Sequence, residues 1–375
     1  MLAAAMLDAG FHRVGANRAV NFTRLYDRGN YFRSVHVSLL SLLSDAATCE
    51  TDASFFAAVL QSHFMSKIFL FPGQGSQYAG MGKSLAEAFP EAARVFEEAD
   101  VALGCPISKL CFEGPEDQLK LTENTQPALL AVSIAAHAVL KSRGVDADFV
   151  AGHSLGEYSA LVAAGSIAFA DALRLVRKRG RYMQESVPAG VGAMAALLKL
   201  PEDKLDGILA AAAQGEVVTA ANLNTPEQVV IAGHAGAVSR AMELAKAAGA
   251  RRAVLLPVSA PFHCPLMKPA QERLKADLDA TEFRDLEVPL INNCQAREVR
   301  TGAEAREGLY QQVPNPVRWS DSIRLLASTG PTQFVEVGAG GVLTGLLRSI
   351  DPGLTGVRFG EAADLENILA TDERD

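Results

Sequence analysis

The sequence predicts an α/β protein whose main sheet is mostly parallel and whose chain is interrupted by a small second domain. From residue 67 onward, short apolar runs of strand length alternate with longer helical patterns. This alternation is typical of a parallel sheet with helices packed on it. Residues 190–258 follow a different order, and the alternation resumes at residues 289–292 and 333–337.

The first part of the main domain contains two predicted strands and two predicted helices. Residues 67–71 form an apolar strand that runs into a glycine-rich turn. We expect helices over residues 85–103 and from residues 125–127 onward, where Pro127 would stand at an early helical position that needs no N–H donor. Residues 149–151 form a short buried strand.

Residues 190–258 show the order strand, helix, strand, strand, helix, strand, which is the ferredoxin-like βαββαβ pattern. The predicted strands cover residues 193–200, 217–222, 228–232 and 253–258, and the predicted helices cover residues 202–213 and 237–248. We therefore predict a main domain of residues 65–189 and 259–370 with a small domain of residues 190–258 inserted into it.

Residues 1–64 differ from the rest of the chain. They are rich in arginine, have few acids before Asp45 and lack the later alternation, whereas Met65 stands directly before the first strand. We predict an N-terminal extension that is either disordered or an over-extended gene start. An arginine-rich organelle transit peptide and a genuine extension remain alternatives, and without import the compartment would be the cytoplasm.

Composition excludes several classes of protein. The 375 residues carry a formal net charge of −8, which is the wrong sign for a general nucleic-acid binder. Five cysteines without metal-ligand spacing argue against a disulfide framework and against a zinc site. No apolar run approaches the roughly 20 residues that span a bilayer.

Residues 152–156, GHSLG, are the sharpest local motif. They match G-x-S-x-G, follow an apolar strand and precede a helical run, which is the context of a nucleophile elbow. The turn would lift the hydroxyl of Ser154 away from the sheet and place the following N–H groups at a helix N-terminus, where negative charge is favoured. A glycine-serine turn that only packs is the alternative.

A serine hydroxyl needs a base, and His263 is our candidate. Pro261 and Pro265 bracket it and stiffen a loop that follows the small domain. His153 neighbours the serine, but we expect its side chain to point away across the turn. A plain loop histidine remains the alternative for His263.

Arg179 lies on the apolar stripe of a predicted helix, together with Leu175, Val176 and Met183 at helical spacing. A charge on a buried face is costly unless it is paired. Two interpretations remain open, an internal salt bridge and a bidentate clamp for the carboxylate of a substrate.

With these residues in view, the chain resembles the acyltransferase family of fatty-acid and polyketide synthesis. Within it, the chain is similar to the stand-alone bacterial malonyl-CoA:acyl-carrier-protein transacylases. The motifs follow the family order over about residues 66–370, whereas residues 1–64 have no counterpart. The matching stretches are FPGQGSQ at 71–77, TQPA at 125–128, GHSLGEY at 152–158, Arg179-Gly180, the His263 loop, NPVRW at 315–319 and EVG at 336–338.

The resemblance implies an α/β-hydrolase-like large domain with a ferredoxin-like insert. It implies a malonyl transfer from malonyl-CoA to acyl carrier protein, by a monomer with no cofactor, no metal, no nucleic acid and no membrane. It also implies a role for each matched residue. Ser154 would be the nucleophile, His263 the base, Gln74 and Leu155 the oxyanion hole, Arg179 the carboxylate clamp, Gln312 a glutamine whose backbone orients the histidine, Gln126 a lining residue, and Phe262 a malonyl-selective ring.

Three rival functions remain to be compared. A serine esterase or thioesterase would share the elbow, but it needs an Asp or Glu between Ser154 and the histidine in chain order, and none stands out. A non-catalytic module that binds CoA or a carrier would not need Ser154. A nucleotide-binding protein would use residues 338–341, GAGG, which do not complete G-x-G-x-x-G because Leu343 occupies the last position.

Overall fold

The computed structural model describes residues 66–258, 260–330 and 332–372 of the chain. Within these residues the chain forms two sheets. The ten strands are β1 (Ser66–Phe71), β2 (Phe149–Gly152), β3 (Gly192–Leu198), β4 (Val218–Thr225), β5 (Gln228–His234), β6 (Arg252–Leu255), β7 (Leu290–Ile291), β8 (Glu298–Val299), β9 (Thr332–Val337) and β10 (Gly356–Phe359).

The large sheet has the strand order β10-β9-β1-β2-β7-β8. Its first five strands are parallel, and only β8 runs antiparallel, against β7. The register pairs Phe71 with Gly152, so β1 and β2 end side by side. The loops that follow these two strands therefore meet at the same edge of the sheet, which is where parallel sheets place their sites.

Helices form the layers around this sheet. They are α1 (Lys83–Ala88), α2 (Pro90–Leu103), α3 (Ile107–Glu113), α4 (Glu116–Leu119), α5 (Thr122–Ser142), α6 (Gly156–Ala163), α7 (Phe169–Glu185), α8 (Leu205–Ala213), α9 (Ala235–Ala247), α10 (Lys268–Ala280), α11 (Gly302–Gln312), α12 (Trp319–Ala327), α13 (Val342–Ile350) and α14 (Leu365–Asp372). Short 3₁₀ turns cover Glu202–Lys204, Pro265–Met267 and Ala362–Asp364.

Alternate residues of β1 pack into two separate cores, as the period of two along a strand requires. Phe69 and Phe71 join a cluster that includes the inner face of α5. Ile68 and Leu70 join a second cluster on the other face, with residues of α12 and α13 such as Trp319. Because helices cover both faces, the C-terminal halves of the central strands β1 and β9 are buried on both sides.

The small sheet has the order β4-β5-β3-β6 and is antiparallel throughout. This is the ferredoxin-like arrangement, and all of its strands and both α8 and α9 lie within residues 190–258. Val317, in the loop before α12, exchanges backbone hydrogen bonds with β4: Leu223 N donates to Val317 O and Val317 N to Ala221 O, both at 2.9 Å. These bonds attach the small sheet to the large domain.

Two of the predicted helices are wrong in their bounds. The single helix expected at residues 85–103 is two helices, because Pro90 excludes the helical conformation from the residue before it and Phe89 is extended (φ −131°, ψ 114°). The helix expected from residues 125–127 begins earlier, at Thr122. Pro127 therefore lies inside α5 rather than in its first turn.

The fold class predicted from the sequence is confirmed: a parallel-rich α/β domain carries an antiparallel βαββαβ insert. The prediction for residues 1–64 lies outside the described residues. None of the helices in the described part of the chain is long and apolar enough to cross a membrane.

Candidate active site

Ser154 occupies a tight turn between β2 and α6. Its backbone is left-handed, with φ at 53°, a conformation that costs a non-glycine residue on the order of 1–3 kcal/mol. The flanking glycines are required by close approach. A Cβ on Gly152 would lie 2.0 Å from the carbonyl group of Gly156, and one on Gly156 would lie 2.0 Å from the carbonyl oxygen of Phe71.

His263 stands in the loop between β6 and the 3₁₀ turn at Pro265–Met267, also with a left-handed backbone (φ 57°). Its Nε2 lies 2.7 Å from Ser154 Oγ, and its Nδ1 lies 3.1 Å from the main-chain oxygen of Gln312. A carbonyl oxygen only accepts hydrogen bonds, so Nδ1 must hold the ring proton. Nε2 is then free to accept the proton of the serine hydroxyl.

The imidazole of His263 is 3% exposed. Burial, followed by the positive charge of Arg179, lowers the pKa of His263 to about 3. The ring is therefore neutral near pH 7, as a general base must be. The hydrogen bond from Nδ1 to a main-chain carbonyl takes the place of a carboxylate partner, so the Asp or Glu that an esterase triad would use is not bound to this histidine.

Arg179 extends from α7 into the same space and is 1% exposed. Its Nη1 donates to Gln126 Oε1 at 2.8 Å, and its Nη2 donates to Gln312 Oε1 at 2.9 Å and to Ser154 Oγ at 3.2 Å. Among the described residues it has no Asp or Glu oxygen within 4.0 Å. Burial lowers the pKa of Arg179, which the nearby Tyr158 and Glu157 partly offset. The internal salt bridge considered from the sequence is therefore not formed.

The N–H groups of Gln74 and Leu155 donate none of the hydrogen bonds found among the described residues. Leu155 directly precedes the first residue of α6, where the helix dipole favours negative charge. Gly73, next to Gln74, lies against the elbow: a Cβ there would be 2.3 Å from the carbonyl oxygen of His153. Two free N–H donors thus flank the turn that holds Ser154.

The structure brings together five of the residues predicted from the sequence: Ser154, His263, Arg179, Gln126 and Gln312. Phe262, directly before the histidine, is 8% exposed and belongs to the large core cluster.

His153 points away from Ser154, as the sequence predicts. Its Nε2 lies 2.9 Å from Asn224 Oδ1 of β4, and its ring packs edge-on against Trp319 at 5.5 Å.

Sequence reasoning missed Asn293 and Glu157. Asn293 Oδ1 accepts from Ser154 N at 2.7 Å, and its Nδ2 donates to Gly152 O at 2.6 Å, so it supports the left-handed turn from both sides. Glu157 Oε2 accepts from Asn293 N at 3.0 Å. The available signals were a pair of asparagines, Asn292 and Asn293, at the end of the strand predicted at residues 289–292, and an acid in the first turn after the motif.

Known proteins that resemble this chain agree with the geometry of the site. Residues 68–351 match the model of the acyl transferase domain. The chain belongs to the acyl transferase domain family. It is 49% identical over 309 residues to a malonyl CoA-acyl carrier protein transacylase of Bacillus subtilis, an alignment that covers 82% of this chain and 98% of the relative.

Solved structures show the same similarity. An acyl carrier protein S-malonyltransferase of Vibrio cholerae is 44% identical with a TM-score of 0.79, over 81% of this chain and 99% of that one. A malonyl-transacylase solved in complex with its type II polyketide-synthase acyl-carrier protein is 44% identical with a TM-score of 0.80, over 82% and 99%. The chain is therefore an acyltransferase, and its similarity to these proteins supports acyl transfer over the esterase alternative.

Proposed function

We propose that this acyltransferase moves a malonyl group from malonyl-CoA to the phosphopantetheine thiol of an acyl carrier protein, through an ester on Ser154. The proposal rests chiefly on one observation: a buried guanidinium is hydrogen-bonded to the serine oxygen and to two amides, and no Asp or Glu of the described residues lies within 4.0 Å of it. A substrate with a free carboxylate supplies that partner, and the names of the related proteins agree with this substrate.

In the first half-reaction, Arg179 binds the free carboxylate of the malonyl group and thereby places the thioester carbonyl beside Ser154. His263 Nε2 takes the serine proton as Oγ attacks the carbonyl carbon. The N–H groups of Gln74 and Leu155 bind the oxyanion, and each such donor typically contributes about 3 kcal/mol. The C–S bond then breaks, and the coenzyme A thiolate leaves with the proton held by His263.

In the second half-reaction, the thiol of the carrier gives its proton to His263 and its sulfur attacks the malonyl-serine ester. The C–O bond breaks and Ser154 Oγ regains the proton from His263. Because CoA leaves before the carrier reacts, the kinetics should be ping-pong. Neither proposed half-reaction uses a metal or a cofactor, since serine, imidazole and two N–H groups supply the chemistry.

Selectivity for malonyl over acetyl groups follows from the burial of Arg179. An acetyl group lacks the carboxylate and leaves the guanidinium without its ion-pair partner, which a buried charge tolerates poorly. Selectivity against a branched methylmalonyl group is assigned to Phe262, at about 1–3 kcal/mol for one methyl group. Gln126 and Gln312 orient the guanidinium by accepting hydrogen bonds from its Nη1 and Nη2.

The wider setting is also part of the proposal. We infer that the enzyme acts as a monomer. We infer a role in fatty-acid biosynthesis and a cytoplasmic location. In support of a reducing compartment, the cysteines of the described residues, Cys105, Cys111, Cys264 and Cys294, are free thiols.

Intact mass spectrometry of the wild type and of Arg179→Ala, after mixing with malonyl-CoA or acetyl-CoA, tests the proposal. We expect a stable malonyl adduct on the wild type until a thiol acceptor is added. Arg179→Ala should lose about 100-fold or more of the preference for malonyl-CoA, because it removes a charge-assisted bidentate contact.

Arg174→Ala is the matched control. Arg174 lies on the same helix, bonds to Ala102 O and Asp171, and does not touch the site. Its preference should equal that of the wild type. An unchanged preference in Arg179→Ala would exclude the clamp, and rapid discharge of the wild-type adduct to water would indicate a hydrolase.

A further inference from the structure

Glu157 is a buried acid that the steps above do not use. It lies in the first turn of α6 and is 1% exposed. No Lys, Arg or His nitrogen of the described residues lies within 4.0 Å of its carboxylate. Burial raises the pKa of Glu157 to about 7, although its hydrogen bonds to Gln312 and Asn293 and the charge of Arg179 act in the other direction. An acid in such a position is expensive to retain, so its contacts matter.

Its main side-chain contact is the carboxamide of Gln312, which is itself fully buried. Gln312 Nε2 donates to Glu157 Oε2 at 2.8 Å and to Ser154 O at 3.0 Å. At the other end of the same amide, Gln312 Oε1 accepts from Arg179 Nη2 at 2.9 Å. The amide thus stands between an acid and a guanidinium.

This arrangement permits only one orientation of the amide. A flip would turn the NH₂ group towards Arg179, which can only donate, and would turn the oxygen towards a carboxylate and a carbonyl, which accept. Two like groups would then face each other at each end, and buried polar groups left unpaired cost about 1–3 kcal/mol each. The acceptor oxygen of Glu157, the shortest contact of Gln312 Nε2, therefore acts with Ser154 O to keep the oxygen of Gln312 turned towards Arg179.

The same residue keeps the acid and the guanidinium apart. Because the Gln312 amide lies between them, Glu157 does not form a direct ion pair with Arg179. On the edge of the guanidinium that faces Ser154, the partners of Nη2 are the uncharged Ser154 Oγ and Gln312 Oε1, and no carboxylate of the described residues neutralises the charge there.

We propose that Glu157 is a positioning residue for recognition of the acyl group: through the Gln312 carboxamide it orients Arg179 towards the free carboxylate of the substrate. The inference rests on the proposed malonyl transfer. Glu157 acts through the length of its side chain, because its acceptor oxygen must come within hydrogen-bond distance of Gln312 Nε2. Its negative charge is secondary.

Two conservative variants separate reach from charge. Glu157→Gln keeps the length of the side chain and an acceptor oxygen but removes the charge. Glu157→Asp keeps the charge but withdraws the oxygen by one methylene. The measurement is the rate of acyl-enzyme formation, as kcat and KM, with malonyl-CoA and with acetyl-CoA. We expect Glu157→Asp to lower the malonyl-over-acetyl preference about tenfold, the usual cost of one hydrogen bond to a charged group, whereas Glu157→Gln should stay within about twofold of the wild type.

Glu336, near the end of β9, provides the matched control because it too is a buried glutamate beside a strand–turn–helix corner of the large sheet. It contacts Leu343 and Thr344 and no residue of the site. Glu336→Asp should leave the preference unchanged, even if it lowers the melting temperature.

Two results would overturn the inference. One is an unchanged malonyl-over-acetyl preference in Glu157→Asp, whether its rates fall equally with the two substrates or do not fall at all. The other is a larger loss of preference in Glu157→Gln than in Glu157→Asp, which would make the charge decisive. A wild type without any malonyl preference would instead contradict the proposed function, so the two failures are distinguishable.

Discussion

Two strand–turn–helix corners of the large sheet share the same local architecture, but only one of them carries the candidate nucleophile. At one, β2 turns through Ser154 into α6; at the other, β9 turns through residues 338–341 into α13. Both turns contain residues with left-handed backbones, Ser154 at the first and Gly338 and Gly340 at the second. Each is followed by a helix whose N-terminus favours negative charge, and each has a buried glutamate beside it.

The glutamates differ in what they bind. Glu336 Oε1 accepts from Leu343 N at 3.0 Å and Glu336 Oε2 from Thr344 N at 2.8 Å. The first turn of α13 is thus closed by the protein's own carboxylate, and a Cβ on Gly338 would lie 2.4 Å from Ser133 Oγ. Glu336 thus occupies N–H groups that a phosphate at this helix N-terminus would need, and we interpret residues 338–341 as a packing turn.

Glu157 does not bind the N-terminus of its own helix. It accepts instead from Asn293 N and from the side chain of Gln312. The N–H group of Leu155 donates no hydrogen bond within the described part of the chain. Of the two corners, the one that carries the candidate nucleophile is thus the one whose carboxylate is held by residues outside its own helix.

The largest expected effect separates the two corners by their serines. Ser154→Ala should lower acyl transfer about 10⁴-fold or more, because the nucleophile is lost and only binding and the N–H donors remain. Ser133→Ala, beside the second corner, removes a fully buried hydroxyl that has no hydrogen-bond partner among the described residues, and transfer should be unchanged. Rates from a carrier-dependent assay and adduct masses check both. Residual adduct on Ser154→Ala would place the ester on another residue.

Glycine substitutions compare how tightly the corners are packed. Gly156→Ala forces a Cβ to 2.0 Å from the backbone oxygen of Phe71, and we expect a loss of about 4 kcal/mol or more in the free energy of unfolding. Gly340→Ala meets nothing closer than 3.5 Å and pays mainly for its left-handed backbone, about 1–2 kcal/mol. Denaturant unfolding measures both. Similar losses would show that the first corner relaxes and that close packing does not define it.

The smallest expected effect concerns pH. A base is active when unprotonated, so a histidine of ordinary pKa near 6.5 would lose about tenfold in rate between pH 7.5 and 5.5. With its pKa lowered to about 3, His263 should give a nearly flat profile of kcat/KM for malonyl-CoA over that range. A step near pH 7 that disappears in Glu157→Gln would belong to Glu157, whose pKa is raised to about 7. A step near pH 6.5 that persists in this variant would contradict the buried, neutral state of His263.

The parts of the protein that were predictable from sequence are local ones. The period of two in β1, the helical spacing around Arg179 and the strand–turn–helix context of Ser154 each involve neighbouring residues, whose side-chain directions follow from backbone geometry. The break before Pro90 has such a local cause as well, and it was available but overlooked. The prolines on either side of His263 indicate a stiff loop, and this predicts His263 as the base for Ser154. The resemblance to the acyltransferase family supports the same pair.

Taken alone, the sequence determined the fold class, the order of the small domain and the candidate nucleophile, base and arginine, because periodicity and turn chemistry are properties of short segments. Only the tertiary structure decided that Glu157 binds Gln312, that Asn293 supports the turn of Ser154, and that Arg179 has amide partners and no acid. These contacts join residues more than 50 positions apart. A side-chain hydrogen bond at that separation depends on where folded elements place two atoms, and it leaves no periodic pattern along the chain.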